Sequence, residues 1–174
     1  MKKKFIPALC GIALAAVIAI AANVSTDYDK SADFGRYKTY SWIKAQAPNS
    51  LWSDRITNAV DGQLAAKGWT KVDSGGDAAV TALEFTKNEQ TYQTFYNGLG
   101  GGWFWRGFGD MATTTVENTP VGTLVVDIFD ANTKKLLWRG RATDTLSDKP
   151  DKNEKKLEKS VADMFKKFPP PAKG

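Results

Sequence analysis

The stretch "GTLVVDIFDANTKKLLWRGRATDTLS", residues 122–147, constrains the fold more than any other part of this chain. Two runs rich in β-branched and aromatic residues flank a polar centre, which is the signature of a β-hairpin. Leu124, Val126 and Ile128 fall on one face of the first arm, and Val125 and Phe129 on the other. Residues 130–133 make the turn. On the return arm Leu136, Trp138, Gly140, Ala142 and Leu146 share one face, and Arg139, Arg141, Thr143 and Thr145 share the opposite one. A hairpin this apolar on one side is not stable alone and needs helices or further strands over that side.

Helices are available. Between Asn49 or Ser50 and Gly68, Trp52, Ile56, Ala59, Val60 and Leu64 recur at helical spacing, with Asp54, Arg55, Asn58 and Asp61 left for water. Near the end, Pro150 opens a second helix, with Asp151 and Glu154 early and Lys166 and Lys167 late. Leu157, Val161, Met164, Phe165 and Phe168 form its apolar stripe. "NVSTDYD" and "FGRYKTYSW" read as strands on either side of a turn at Lys30-Ser31, "WTKVD" as a short strand, and "AAVTALEF" as a longer one. The predicted fold class is α/β in the α+β sense. A mostly antiparallel or mixed sheet carries two amphipathic helices on one face.

From Thr86 to Thr94 the chain turns polar on both faces, which a strand inside a sheet would not do. This segment is expected to leave the core and project, with "MATTTVENT" returning beside it. Between them lies "NGLGGGWFWRGFGDM", the glycine- and aromatic-rich tip of a protruding hairpin. Phe95, Tyr96, Trp103, Phe104, Trp105 and Phe108 put six aromatic rings into residues 95–108. One reading folds these rings back as a cap on the core, with glycines allowing the reversal. The others make Trp103, Phe104, Trp105, Arg106 and Phe108 a contact surface. It could meet the lipid interface, where Trp is favoured and Arg snorkels. It could dock on an envelope protein, since Trp and Arg are typical anchors. It could stack on a sugar.

The N-terminus bears on location. "MKKKFIPALCGIALAAVIAIAANVS" has a basic start and an apolar run, and Ala19-Ile20-Ala21 fits a signal-peptidase site. Residues 1–21 are the expected signal peptide and 22–174 one domain. An uncleaved inner-membrane anchor at residues 5–22 is the alternative. The expected location is the periplasm or cell envelope. Cys10 stands too early in the run, and after Leu9, to be a lipoprotein cysteine.

Composition then excludes much chemistry. Cys10 is the single cysteine and there is no histidine, so the chain beyond the leader lacks disulfides, His-based triads and His/Cys zinc sites. Three of the five net positive charges belong to Lys2, Lys3 and Lys4. The remainder is no nucleic-acid footprint. Asp27, Asp29, Ser31 and Asp33 alternate like the start of a calcium loop, but Ala32 and Lys38 stand where its glycine and bidentate glutamate belong. They read as a polar turn. "GLGGGW" misses nucleotide-loop spacing. Asp127, Asp130 and Asp144 are candidates to pair with Glu84 or Glu117 as acid and base, though no spacing selects two of them. Arg139 and Arg141 fit cross-strand pairing better than an anion site. The sequence calls for no cofactor and no metal. It leaves oligomeric state open.

The segments "DYDKSADFGRYKTYSW", "DRITNAVDGQLAAKGW", "GTLVVDIFDANTKKLLWRGRATDTLSD" and "KKFPPP" resemble the bacterial family known as domain of unknown function 4136. That resemblance implies a cell-envelope protein, often a lipoprotein, with an α/β fold and no assigned activity. The leader departs from it, since no lipoprotein cysteine is in place. The functional expectation is a non-enzymatic binding, adaptor or structural module that uses the aromatic loop. The alternatives are a carbohydrate- or lipid-binding periplasmic protein, or a carboxylate-dependent hydrolase.

Overall fold

The computed structural model describes residues 22–86 and 121–170. Residues 1–21, the stretch 87–120 with its aromatic run, and residues 171–174 lie outside them. Among the described residues six strands form one mixed sheet: β1 (Asn23–Tyr28), β2 (Thr39–Gln46), β3 (Thr70–Lys71), β4 (Ala78–Phe85), β5 (Val121–Asp130) and β6 (Leu136–Thr145). Their order is β1-β6-β5-β4-β2-β3. Among the described residues the helices are α1 (Ser50–Ala66) and α2 (Pro150–Phe165). The α+β class expected from the sequence is what the chain adopts. The protruding hairpin falls outside the described residues.

Strands β4, β5 and β6 are antiparallel neighbours, while β2 runs parallel to β4 and joins it through α1. That crossover needs a helix because parallel strands cannot be linked by a tight turn. The Asn49 side chain accepts the Trp52 N–H at 2.9 Å and starts α1. Gly68, at φ +81°, follows its end, a conformation that favours glycine. Ile56, Val60 and Leu64 are fully buried, and α2 contributes Val161, Met164 and Phe165. Both helices pack on the sheet face that carries Val80, Ala82, Leu124, Val126, Ile128, Trp138 and Ala142.

Three expectations are corrected. First, β1 and β2 are not hairpin partners. β1 pairs with β6 at one edge, and β2 lies beyond β6, β5 and β4. The segment between them crosses the end of the sheet and contains a 3-10 turn at Phe34–Arg36. Phe34, Tyr37 and Tyr40 recur every third residue, a spacing that suits a helical turn better than a strand. Phe34 and Tyr37 thereby reach a ring cluster with Trp69 and Phe168.

Second, Leu136 is on the other face from Trp138. A bulge between Ile128 and Phe129 pairs Ile128 with Trp138 and Phe129 with Leu136, so Leu137 is the extra residue. Leu137 joins the core under the helices. Leu136 joins Ala79, Leu83, Val125 and Phe129 in a second buried cluster.

Third, Asp61 does not face open water. Its Oδ1 accepts the Tyr40 hydroxyl and the Trp42 indole N–H, each at 2.8 Å, and its Oδ2 meets Lys71 at 2.8 Å. These bonds tie α1 to β2 and β3.

Candidate functional site

The acids that sequence alone left unassigned have specific places. Asp127 and Arg139 face each other on β5 and β6 and form two bonds of 2.6 Å, with both side chains buried. This is the cross-strand pairing expected for the arginine, and it fixes Asp127 in a salt bridge. Asp130 accepts the Asn132 and Thr133 N–H groups and the Tyr37 hydroxyl, so it ties the β5–β6 turn to the 3-10 turn. Burial and this bond push the Tyr37 hydroxyl up to about 12.

The calcium-like run resolves as caps. Asp33 accepts Gly35 N–H at 2.9 Å. Asp29 accepts the Ser31 N–H and hydroxyl and meets Lys135. Burial raises the Asp29 carboxyl, but these bonds outweigh it and hold it at about 2. Among the described residues no cluster of three or more metal-ligating side chains forms.

Glu84 and Asp144 do come together. Near the end of β4, Glu84 lies in register with Leu124 and so points to the helix side of the sheet. Gly122 lies beside it: a Cβ there would make an ordinary 3.5 Å contact with Glu84 Oε1 and crowd Leu146 Cδ2 at 3.0 Å. Gly122 in turn is in register with Asp144 on the neighbouring β6. The two carboxylates line a cavity of about 40 Å³ whose wall includes Trp52 of α1 and Lys156 of α2. That is space for a few waters. Lys156 is committed to Asp144 at 3.1 Å, the Thr145 carbonyl at 2.7 Å and the Thr145 hydroxyl at 3.3 Å. Glu84 Oε2 is buried with no hydrogen-bond partner. Burial raises its carboxyl to about 7. Sequence reasoning named Glu84 and Asp144 but could not pair them, because their proximity runs through β5.

Trp103, Phe104, Trp105, Arg106 and Phe108 lie outside the described residues. Their point of attachment does not. Phe85 pairs with Thr123 as antiparallel neighbours, so β4 and β5 could be closed by a tight turn. Instead β4 ends at Phe85 and β5 begins at Val121. An antiparallel pair needs about 2–5 residues there.

A mixed sheet with helices on one face and a long insertion between its central strands defines an α+β domain without a catalytic constellation among the described residues. The chain belongs to the family of domain of unknown function 4136 (DUF4136), whose sequence pattern matches residues 24–170. No curated protein matches it. Among solved structures, a PDZ domain protein from Parabacteroides distasonis ATCC 8503 is similar at 15% identity and a TM-score of 0.55, covering 88% of this chain. The chain spans only 37% of that protein's length. A PelC dodecamer from Paraburkholderia phytofirmans matches at 11% identity and a TM-score of 0.49, covering 83% of this chain and 95% of that one. At such identities the first likeness bears on the fold alone.

Proposed function

We propose that this protein is an exported, non-catalytic binding module of the bacterial envelope, with residues 1–21 removed as a signal peptide and 22–174 forming one domain. Its contact surface is Trp103, Phe104, Trp105, Arg106 and Phe108, which engage an envelope protein or the membrane surface. One observation carries this reading. The chain spends residues 86–120 between two strands that are already hydrogen-bonded neighbours, and that insertion holds the densest aromatic run in the sequence. The sheet needs no such length to close, and long insertions in compact domains usually serve a function. A binding role also agrees with the acids. Asp127 is held by Arg139, and Asp144 is held by Lys156.

Replacing Trp103, Phe104, Trp105 and Phe108 together with Ser tests it. Melting temperature should stay nearly unchanged while co-sedimentation with envelope membranes, or crosslinking to an envelope protein, is lost. Each ring gains roughly 1.5–3 kcal/mol only when something covers it. A stability loss of several kcal/mol with binding intact would mean that the rings cap the core, and the proposal would fall. Vesicles of purified lipid separate the two partners, since only a membrane-directed surface binds them. Intact mass should place the mature N-terminus at Ala22.

A further inference from the structure

The cavity at the end of β4 and β5 holds a buried carboxylate oxygen without a hydrogen-bond partner. Glu84 Oε2 is out of solvent and accepts no hydrogen bond. Among the described residues, two other charged groups line the same cavity, Asp144 from β6 and Lys156 from α2. Trp52 of α1 and Gly122 and Leu124 of β5 bring none. Lys156 joins the start of α2 to the end of β6 through its three bonds. Asn153 makes a second tie, donating to the Ser147 carbonyl at 2.7 Å and accepting the Ser147 N–H at 2.8 Å.

We propose that Glu84 is a protonation-sensitive latch: its ionisation draws Lys156 away from Asp144 and Thr145 and loosens the first turns of α2 on the sheet. The physical reason is the imbalance of the cavity. A neutral Glu84 leaves Lys156 and Asp144 as a matched pair. A second carboxylate leaves two negative charges for one cation, in a space that holds few waters. Lys156 must then be shared, or water must enter by displacing α2. The Asn153 tie does not titrate, so the first turns loosen without detaching. The raised position of Glu84, about 7, places the change near neutral pH. The latch is independent of what the aromatic stretch binds.

Hydrogen exchange of the α2 backbone, corrected for the intrinsic pH dependence of exchange, reads it directly. From about pH 5 to about pH 9, protection of the Asn153–Leu157 amides should fall by about tenfold, with its midpoint near Glu84's own titration. In Glu84→Gln the profile should be flat. The carbon-13 shift of the Glu84 carboxyl gives a check on the unmodified chain, and should move near pH 7. Three results would each overturn the proposal: an unchanged pH profile in Glu84→Gln, a wild-type profile without pH dependence, or a Glu84 midpoint at the ordinary carboxylate value.

Discussion

At the scale of single residues, Trp138 and Gly140 are one packing unit. The indole is 1% exposed and lies 4.8 Å from the Phe165 ring and 5.3 Å from that of Phe168, measured between centroids. It lies across its own strand, over Gly140: a Cβ added there would be 2.5 Å from Trp138 Cη2 and 2.8 Å from Met164 Sδ. Trp138→Ala should therefore cost about 3–5 kcal/mol in a denaturant titration, as large core truncations do. A loss below about 1 kcal/mol would contradict the packing. Gly140→Ala should cost about 1–3 kcal/mol, because a buried indole wedged against α2 cannot swing aside as a surface side chain would. Gly76 is under a harder constraint. Its absent Cβ would meet the Tyr40 carbonyl carbon at 2.6 Å, which is backbone and cannot rotate away.

At the scale of elements, the central strands are buried on both faces, so their polar residues must pair within the sheet. Asp127 and Arg139 do this for β5 and β6. Removing one partner leaves the other charged and buried, which is worse than removing both. Arg139→Met should destabilise by about 3–5 kcal/mol. The double replacement Asp127→Leu with Arg139→Met should recover a good part of that loss, and a double-mutant cycle in urea would measure it. A double variant as unstable as the sum of the single ones would show that the pair is not an energetic unit. The hairpin itself was legible from alternation, and so were α1 from its cap and apolar stripe and α2 from its first-turn proline and apolar stripe. The faces of Leu136 and Leu137 were not, because one bulged residue inverts every position beyond it.

At the scale of the whole molecule, acid should unfold the protein through several aspartates at once. Asp29, Asp77, Asp130 and Asp163 are held below the ordinary value of 3.8 in the folded state. Hydrogen bonds from Lys38 and Thr39 lower Asp77, and Lys159 and Lys166 lower Asp163. For Asp29 and Asp130 such bonds outweigh burial. Depressed groups stabilise above their unfolded value, and that stability is lost as pH falls toward their folded values. Melting temperature should thus drop from about pH 4 toward about pH 2. Glu84 has the opposite sign. Raised from 4.5 to about 7, it stabilises fully below 4.5, and the contribution is lost as pH rises through 7. Relative to Glu84→Gln, the wild type should lose about 1–3 kcal/mol across that window, toward the lower end because solvent reaches part of the side chain. Parallel stability curves for the two proteins would rule this out.

The sequence by itself determined the class of fold, both helices, the cap of α1, the β5–β6 hairpin and the lack of cysteine and histidine beyond Cys10. Each of these is written in local periodicity or composition, which act within a few residues. It also picked out the aromatic stretch, though not what that stretch touches. Only the tertiary structure decided that β1 and β2 stand on opposite sides of the sheet, and that Asp61 anchors α1 rather than facing water. Only it set Glu84, Asp144 and Lys156 around one cavity. Those outcomes depend on contacts between residues far apart in the chain. Strand order and the meeting of side chains across an intervening strand leave no repeating pattern along the sequence to read.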